Sequence, residues 1–139
     1  MDGSKKVLIV EDEKGIRILL SDLLSSKGFE VSMARDGQES LDQLEDGRFD
    51  LVVTDIHMPR LDGIEMLKRM KKEGRKEKVI IMTGDSSDQR LRDADIPHIV
   101  TQLQKPFRID FFLDLVIAAT ANTKSMSNME IQSAVSGIA

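Results

Sequence analysis

Apolar residues follow two alternating rhythms along this chain. Short, nearly continuous apolar runs occur at residues 7–10, 49–54, 79–82 and 99–103. Runs of that length predict strands buried on both faces, as in the interior of a parallel sheet. One further segment, with Phe29, Val31 and Met33, alternates strictly and predicts another strand. Between them lie stretches whose apolar residues recur three and four apart: Ile16, Leu19, Leu20, Leu23 and Leu24; Leu41 and Leu44; Ile64, Leu67 and Met70; Ile109, Phe112, Val116 and Ala119. That spacing gathers each set on one side of an amphipathic helix.

The punctuation agrees with this division. Gly28 after Lys27 stops the first helix, Asp36 with Glu39 three residues on makes a capping pair for the second, and Gly47 closes it. Pro59 and the turn pair Asp62-Gly63 make residues 56–62 a loop. Residues 85–97 are the least regular: Asp85, Asp88, Asp93, Asp95 and Pro97 crowd a segment where Leu91 and Ala94 can face a core, which predicts a short helix.

The result is five strand–helix units. Such alternation predicts an all-parallel sheet, because each strand returns through a right-handed crossover that lays its helix on one face. Helices are expected on both sides. From residue 121 the chain is rich in Ser, Asn, Thr and Met, with Ile131, Val135 and Ile138 as scattered aliphatics. The expectation is one domain over residues 1–120 and an extension or tail over residues 121–139, partly helical or disordered.

Composition narrows the function classes. A chain of 139 residues has room for one substantial core. Its 40% hydrophobic and 32% charged residues, with both signs interspersed, are those of a soluble globular protein. The formal net charge of -4 argues against broad nucleic-acid binding, which needs a basic surface to displace counterions. The absence of cysteine excludes disulfides and thiolate zinc sites. No apolar run approaches the roughly 20 residues that cross a bilayer, and the N-terminus lacks a signal-peptide core, so no membrane partner is expected and the cytoplasm is the default. The eight methionines are expected to fill core space.

Candidate chemistry sits at the predicted strand ends. In an open parallel sheet ligands gather beyond the carboxyl ends of the strands. Glu11 and Asp12 follow the first strand, Asp55 the third, Thr83 the fourth and Lys105 the fifth. Three carboxylates brought together repel one another, so a proton or a cation must offset them; oxygen-only ligation favours Mg²⁺ or Mn²⁺ over zinc. A carboxylate can attack phosphorus when positive charge surrounds the equatorial oxygens. Lys105 and the metal would supply that charge, and the Thr83 hydroxyl would bond a phosphoryl oxygen. Gly84 would let its backbone amide come close.

The strand ending in Glu11-Asp12, the run Asp55-Ile56-His57-Met58-Pro59 with Asp62-Gly63, the pair Thr83-Gly84 and the run Lys105-Pro106-Phe107 together resemble the receiver domains of bacterial response regulators. The resemblance covers about residues 5–120. It implies a flavodoxin-like fold, a doubly wound sheet of five parallel strands. It also implies that Asp55 is the phosphoacceptor, that Asp12, Asp55 and the backbone carbonyl of His57 ligate Mg²⁺, and that Glu11 holds metal-bound water. Thr83 and Lys105 would contact the phosphoryl group, and the Lys105-Pro106 bond would be cis. The implied partners are a histidine kinase or phosphotransfer protein upstream and a protein target downstream, with a homodimer through the face around the fourth and fifth strands as a further option.

Two departures from that family pattern stand out. Gln102 lies three residues before Lys105, where the family usually carries a switch aromatic. Asp95-Ile96-Pro97-His98 replaces the usual Gly-Ala pair before the fifth strand, which predicts an atypical fourth helix. His57 and Asp85, each two positions beyond a site residue, occupy places that influence loss of the phosphoryl group in the family.

Each of these residues has an ordinary explanation when taken singly. Glu11-Asp12 could cap a helix, and Lys105 could be a solvated lysine. Five polar residues at four strand ends outweigh those readings. A phosphohydrolase acting through an aspartyl-phosphate is one rival, but that class usually wants a second aspartate two residues beyond the nucleophile, and here His57 stands there. A non-phosphorylated scaffold is the other; Gln102 favours it and the complete polar set opposes it.

Overall fold

The computed structural model describes residues 3–85, 89–96 and 98–121. Among the described residues ten elements alternate between strand and helix: β1 (Lys6–Val10), α1 (Lys14–Ser26), β2 (Glu30–Ala34), α2 (Gly37–Asp46), β3 (Leu51–Asp55), α3 (Gly63–Lys72), β4 (Lys78–Thr83), α4 (Gln89–Asp93), β5 (Ile99–Gln104) and α5 (Ile109–Thr120). The expected tail, beyond Ala121, lies outside the described residues, as does Pro97.

The five strands form one sheet in the order β2-β1-β3-β4-β5, and every pairing is parallel. Successive side chains of a strand point to opposite faces, so the continuous apolar runs feed two cores. Val7 and Ile9 of β1, Leu51 and Val53 of β3, and Ile80 and Met82 of β4 pack with Leu20 and Leu24 of α1 and Phe112, Leu115 and Val116 of α5. Leu8, Val10, Val52, Val79 and Ile81 face the other way, against Leu41 and Leu44 of α2, Ile64, Leu67 and Met70 of α3, and Leu91 of α4. The sheet is thus doubly wound, as the sequence pattern predicts. Met58, Met66, Met70 and Met82 fill these cores.

Local signals set the helix ends. The Asp36 carboxylate accepts from the Glu39 amide at 2.8 Å and the Asp62 carboxylate from the Glu65 amide at 3.0 Å, each satisfying an orphan donor of the helix it opens. Arg69, Lys71 and Lys72 complement the dipole in the last turn of α3. At the end of α1, Gly28 takes φ 93°, a left-handed value that glycine adopts without strain. The Gly28 amide then bonds Ser25 O at 3.1 Å and the Phe29 amide bonds Leu24 O at 3.1 Å, the paired closure of a Schellman motif.

Two expected core positions lie outside the core. Leu19, on the apolar stripe of α1, is 52% exposed, and Met33 of β2 is 44% exposed. The stripe of α1 is wider than its contact with the sheet, and β2 is an edge strand on which Ala34 alone is buried. Leu19, Ile16 and Leu20 instead flank an open apolar groove of about 400 Å³, closed on its far side by Lys105, Pro106, Phe107 and Ile109.

The short α4 and the backbone leading into β5 are irregular. Asp95 and His98 both take left-handed backbone angles, φ 48° and 68°. The pairing of β4 with β5 also shifts register between Val79 and Ile80. These features coincide with the residues that replace the familiar Gly-Ala pair.

Candidate functional site

The strand order reverses direction between β1 and β3, and that switch point opens a crevice at the carboxyl ends of the strands. Glu11, Asp12 and Asp55 meet there. Each can place a carboxylate oxygen within 4.8 Å of the others. Glu11 and Asp55 are buried, and Asp12 is exposed at the mouth. The donor set is oxygen only, dense in negative charge and open on one side, which fits a hard divalent cation such as Mg²⁺ that keeps several waters.

Lys105 reaches into the same cluster from the end of β5. Its ammonium donates to Glu11 Oε1 at 2.5 Å and to Asp55 Oδ2 at 2.9 Å. The other Asp55 oxygen accepts from the Ile56 amide at 2.7 Å, so both oxygens of this carboxylate are directed. Burial pushes the Lys105 ammonium down, but its hydrogen bonds to Glu11 and Asp55 and their charges outweigh that and hold its pKa above the ordinary value. Burial raises the Glu11 carboxyl; Lys105 and the Glu13 amide pull it down and the Asp55 charge pushes it up, leaving it above the usual carboxylate range.

Close packing holds Asp55 from behind. The Gly63 amide donates to Ile56 O at 2.8 Å, drawing the start of α3 against the end of β3. The loop between them is tied on two further sides. Arg60, at φ 63°, directs its guanidinium onto the buried Asp36, with Nε 2.7 Å from Oδ2, and the Gly37 amide bonds Leu61 O at 2.9 Å. Asp62, the cap of α3, also pairs with Arg90 of α4 at 2.7 Å. The contacts Arg60–Asp36 and Asp62–Arg90 span 24 and 28 residues, so no local sequence signal announces them.

Thr83 is buried at the end of β4. Its hydroxyl accepts from the Asp85 amide at 3.0 Å and donates to Asp85 O at 3.1 Å, turned into its own loop. The Lys105 amide bonds Thr83 O at 2.8 Å and joins the ends of β4 and β5. Gly84 shows no steric need for glycine in this arrangement, since a Cβ there would meet nothing within 4 Å. Gln102 projects from β5 as an exposed residue, paired in register with Ile81 and not with Thr83. His57 is exposed in the loop after Ile56. The Lys105-Pro106 bond is cis.

Arg17, which the sequence reading passes over, lies beside the acidic pair. From the first turns of α1 its Nη1 donates to Glu11 O at 2.7 Å and reaches Asp12 O at 3.4 Å. A larger concavity of about 650 Å³ lies elsewhere, lined by Arg48, Glu73, Arg75 and Glu77 among others, and holds none of the clustered carboxylates. No helix among the described residues is long and apolar enough to cross a membrane.

Fold and site together define a phosphoacceptor module, and the family comparison agrees. The chain belongs to the response regulator receiver domain family, whose model matches residues 7–117. It is 39% identical over 113 residues to sporulation initiation phosphotransferase F of Bacillus subtilis (strain 168), covering 81% of this chain and 91% of that protein. Among solved structures, the receiver domain of Francisella response regulator 1452 superposes with a TM-score of 0.78 at 30% identity, over 87% of this chain and 100% of that one. Response regulator TrrA of Thermotoga maritima, solved in complex with Mg(2+)-BeF, gives 0.70 at 33% identity, over 83% and 98%. The chain spans 55% of the length of the longer mycobacterial MprA response regulators it also resembles. The fold expected from the sequence, a flavodoxin-like parallel sheet of the receiver type, is the fold observed.

Proposed function

We propose that Asp55 accepts a phosphoryl group from a histidine kinase or phosphotransfer protein and that the acyl phosphate so formed switches contacts with a downstream protein. The observation that carries this reading is the convergence of Glu11, Asp12, Asp55 and the Lys105 ammonium from the ends of three strands into one crevice. An Asp55 oxygen forms the new bond to phosphorus while the bond from phosphorus to the donor's imidazole nitrogen breaks. That nitrogen keeps the electron pair and takes up a proton. The chain's own groups promote the transfer in both directions: to Asp55 from the donor, and from Asp55 to water.

Glu11, Asp12, Asp55 and the backbone carbonyl of His57 would hold Mg²⁺, or Mn²⁺, with Glu11 acting through a metal-bound water. When bound, the cation neutralises the carboxylates and the charge on the phosphoryl oxygens. Lys105 supplies a second positive charge, exchanging its bond to Asp55 for one to a phosphoryl oxygen. Thr83 exchanges the Asp85 carbonyl for another phosphoryl oxygen, and that rotation begins the switch. The cytoplasm is the compartment that suits this exchange.

Incubation with Mg²⁺ and acetyl phosphate, followed by intact-mass measurement, tests the assignment. One phosphoryl group is expected on the native chain and none on Asp55→Asn. Equal labelling of Asp55→Asn, or no labelling of the native chain by any phosphodonor, defeats it.

A further inference from the structure

The carboxylates of Glu11 and Asp12 can converge only if the backbone carrying them is held, and that backbone lies just past the end of a strand. β1 ends at Val10. One more ladder bond follows, from the Glu11 amide to Ala34 O at 3.0 Å. Beyond it the carbonyls of residues 11 and 12 have left the sheet, and Glu11 itself is fully buried. A buried carbonyl without a donor is disfavoured, so a donor must come from elsewhere.

Arg17 supplies it. Side chains on a helix lean toward its N-terminus, so an arginine near the start of α1 reaches back over the preceding loop. Its half-buried guanidinium touches both carbonyls, at 2.7 Å and 3.4 Å. Both contacts come from Nη1, whose two N–H groups are held in the fixed guanidinium plane toward two neighbouring carbonyl oxygens; a lysine ammonium is one point charge whose donors rotate on a flexible stem. The Glu11 side chain is directed as well, with Oε2 accepting from the Glu13 amide at 3.1 Å and Oε1 from Lys105. Of the three clustered carboxylates, Glu11 and Asp55 are held by side-chain bonds to described residues, and Asp12 is placed by its backbone.

We infer that Arg17 is a positioning residue for the cation site: its guanidinium clamps the carbonyls of Glu11 and Asp12 and thereby fixes two of the three clustered carboxylates. The inference rests on the reading of that cluster as a Mg²⁺ site and adds a residue that never touches the ion. Groups that orient ligands from behind commonly change metal affinity by roughly tenfold to a hundredfold when removed.

The test is a MgCl2 titration of the full chain, followed through backbone amide NMR shifts of residues 11–13 and 55–56, on the native protein, Arg17→Met and Arg17→Lys. Urea unfolding of each variant runs alongside. Arg17→Met is expected to weaken Mg²⁺ binding by at least about tenfold. It should also slow labelling by acetyl phosphate at low Mg²⁺, with recovery at saturating Mg²⁺, a loss in affinity and not in the transfer itself. Arg17→Lys should fall between the two.

A Mg²⁺ affinity within twofold of native in a folded Arg17→Met overturns the inference and leaves the site reading standing. Full recovery in Arg17→Lys also overturns it, because charge and not the two-carbonyl clamp would then suffice. If Arg17→Met does not fold, Arg17→Lys decides: intermediate affinity supports the clamp and native affinity refutes it. No Mg²⁺ response in the native chain sinks the site reading itself, and with it this inference.

Discussion

Gly63 lies so close to Asp55 that a Cβ on residue 63 would sit 2.2 Å from the Asp55 carbonyl oxygen. The obstacle is backbone, and the next nearest atom, Ile56 Cα, is 3.0 Å away. Neither can rotate aside as a flexible side chain would. Gly63→Ala must therefore push α3 from the end of β3 or displace Asp55. The expected loss is about 3 kcal/mol, the upper part of the usual range for overpacking, read as a lower urea midpoint. Gly15→Ala is the matched control: nothing lies within 4 Å of its Cβ, and inside α1 it should add about 0.5 to 1 kcal/mol.

Lys105 and a divalent cation compete for the same oxygens. The ammonium is bonded to Glu11 and Asp55, two of the three carboxylates that would hold Mg²⁺. Removing it relieves that competition and also removes a positive charge needed around the transferring group. Lys105→Ala is expected to bind Mg²⁺ more tightly while accepting phosphoryl groups roughly 100-fold more slowly. Titration with MgCl2 and acetyl phosphate labelling measure the two effects separately; a parallel fall in both would show that Lys105 organises the carboxylates instead of competing for them.

The sequence carried the fold in its periodicities because both signals are local. A run such as Val7 to Val10 has to be buried on two faces, and helical spacing in residues 109–119 has to lie on one. The site's polar residues were legible for a related reason, since each sits next to the strand that presents it. What sequence reading missed is contact between distant segments. Arg60 meets Asp36 across 24 residues, and Gly63 touches Asp55 only because α3 packs under β3. Leu19 failed as a core position because periodicity shows which side of a helix is apolar, not how much of that side the sheet can cover.

Two residues before β5 carry backbone strain that glycine would remove. His98 takes φ 68° and Asp95 φ 48°, in the left-handed region where a Cβ is disfavoured. The main-chain contacts made there, Val79 N to His98 O at 2.9 Å and Lys71 Nζ to Asp95 O at 2.9 Å, are kept by glycine, while the exposed ion pair from Asp95 Oδ2 to Lys71 Nζ at 3.9 Å is lost in Asp95→Gly. Glycine also loosens the unfolded chain, which offsets part of the gain. His98→Gly should stabilise by roughly 0.5 kcal/mol, and Asp95→Gly by less because aspartate tolerates this conformation. Urea midpoints decide, and a destabilised His98→Gly would mean that the imidazole makes a compensating contact.

At the other end of the sheet, Arg75 and Glu77 form a two-pronged pair, with Nη2 to Oε2 at 2.5 Å and Nε to Oε1 at 3.1 Å. The same guanidinium bonds Leu44 O at 2.8 Å and Gly47 O at 2.9 Å, stapling the end of α2 to the approach of β4. Burial pushes the Glu77 carboxyl up, but the Arg75 hydrogen bond and charge and the Phe49 amide outweigh it and hold the pKa below the ordinary value. A carboxylate with a lowered folded pKa stabilises the fold above its unfolded pKa, and that contribution disappears as pH falls through the folded value. Native stability should therefore decline as pH drops below about 4.3, and Glu77→Gln should decline less steeply over the same window. Arg75→Ala, which strands a buried charge, should lose about 3 kcal/mol near neutral pH. Adding Glu77→Gln to it should restore part of that loss, because the stranded charge is then gone; equal losses in the single and double variants would locate the cost in the Leu44 and Gly47 carbonyls instead.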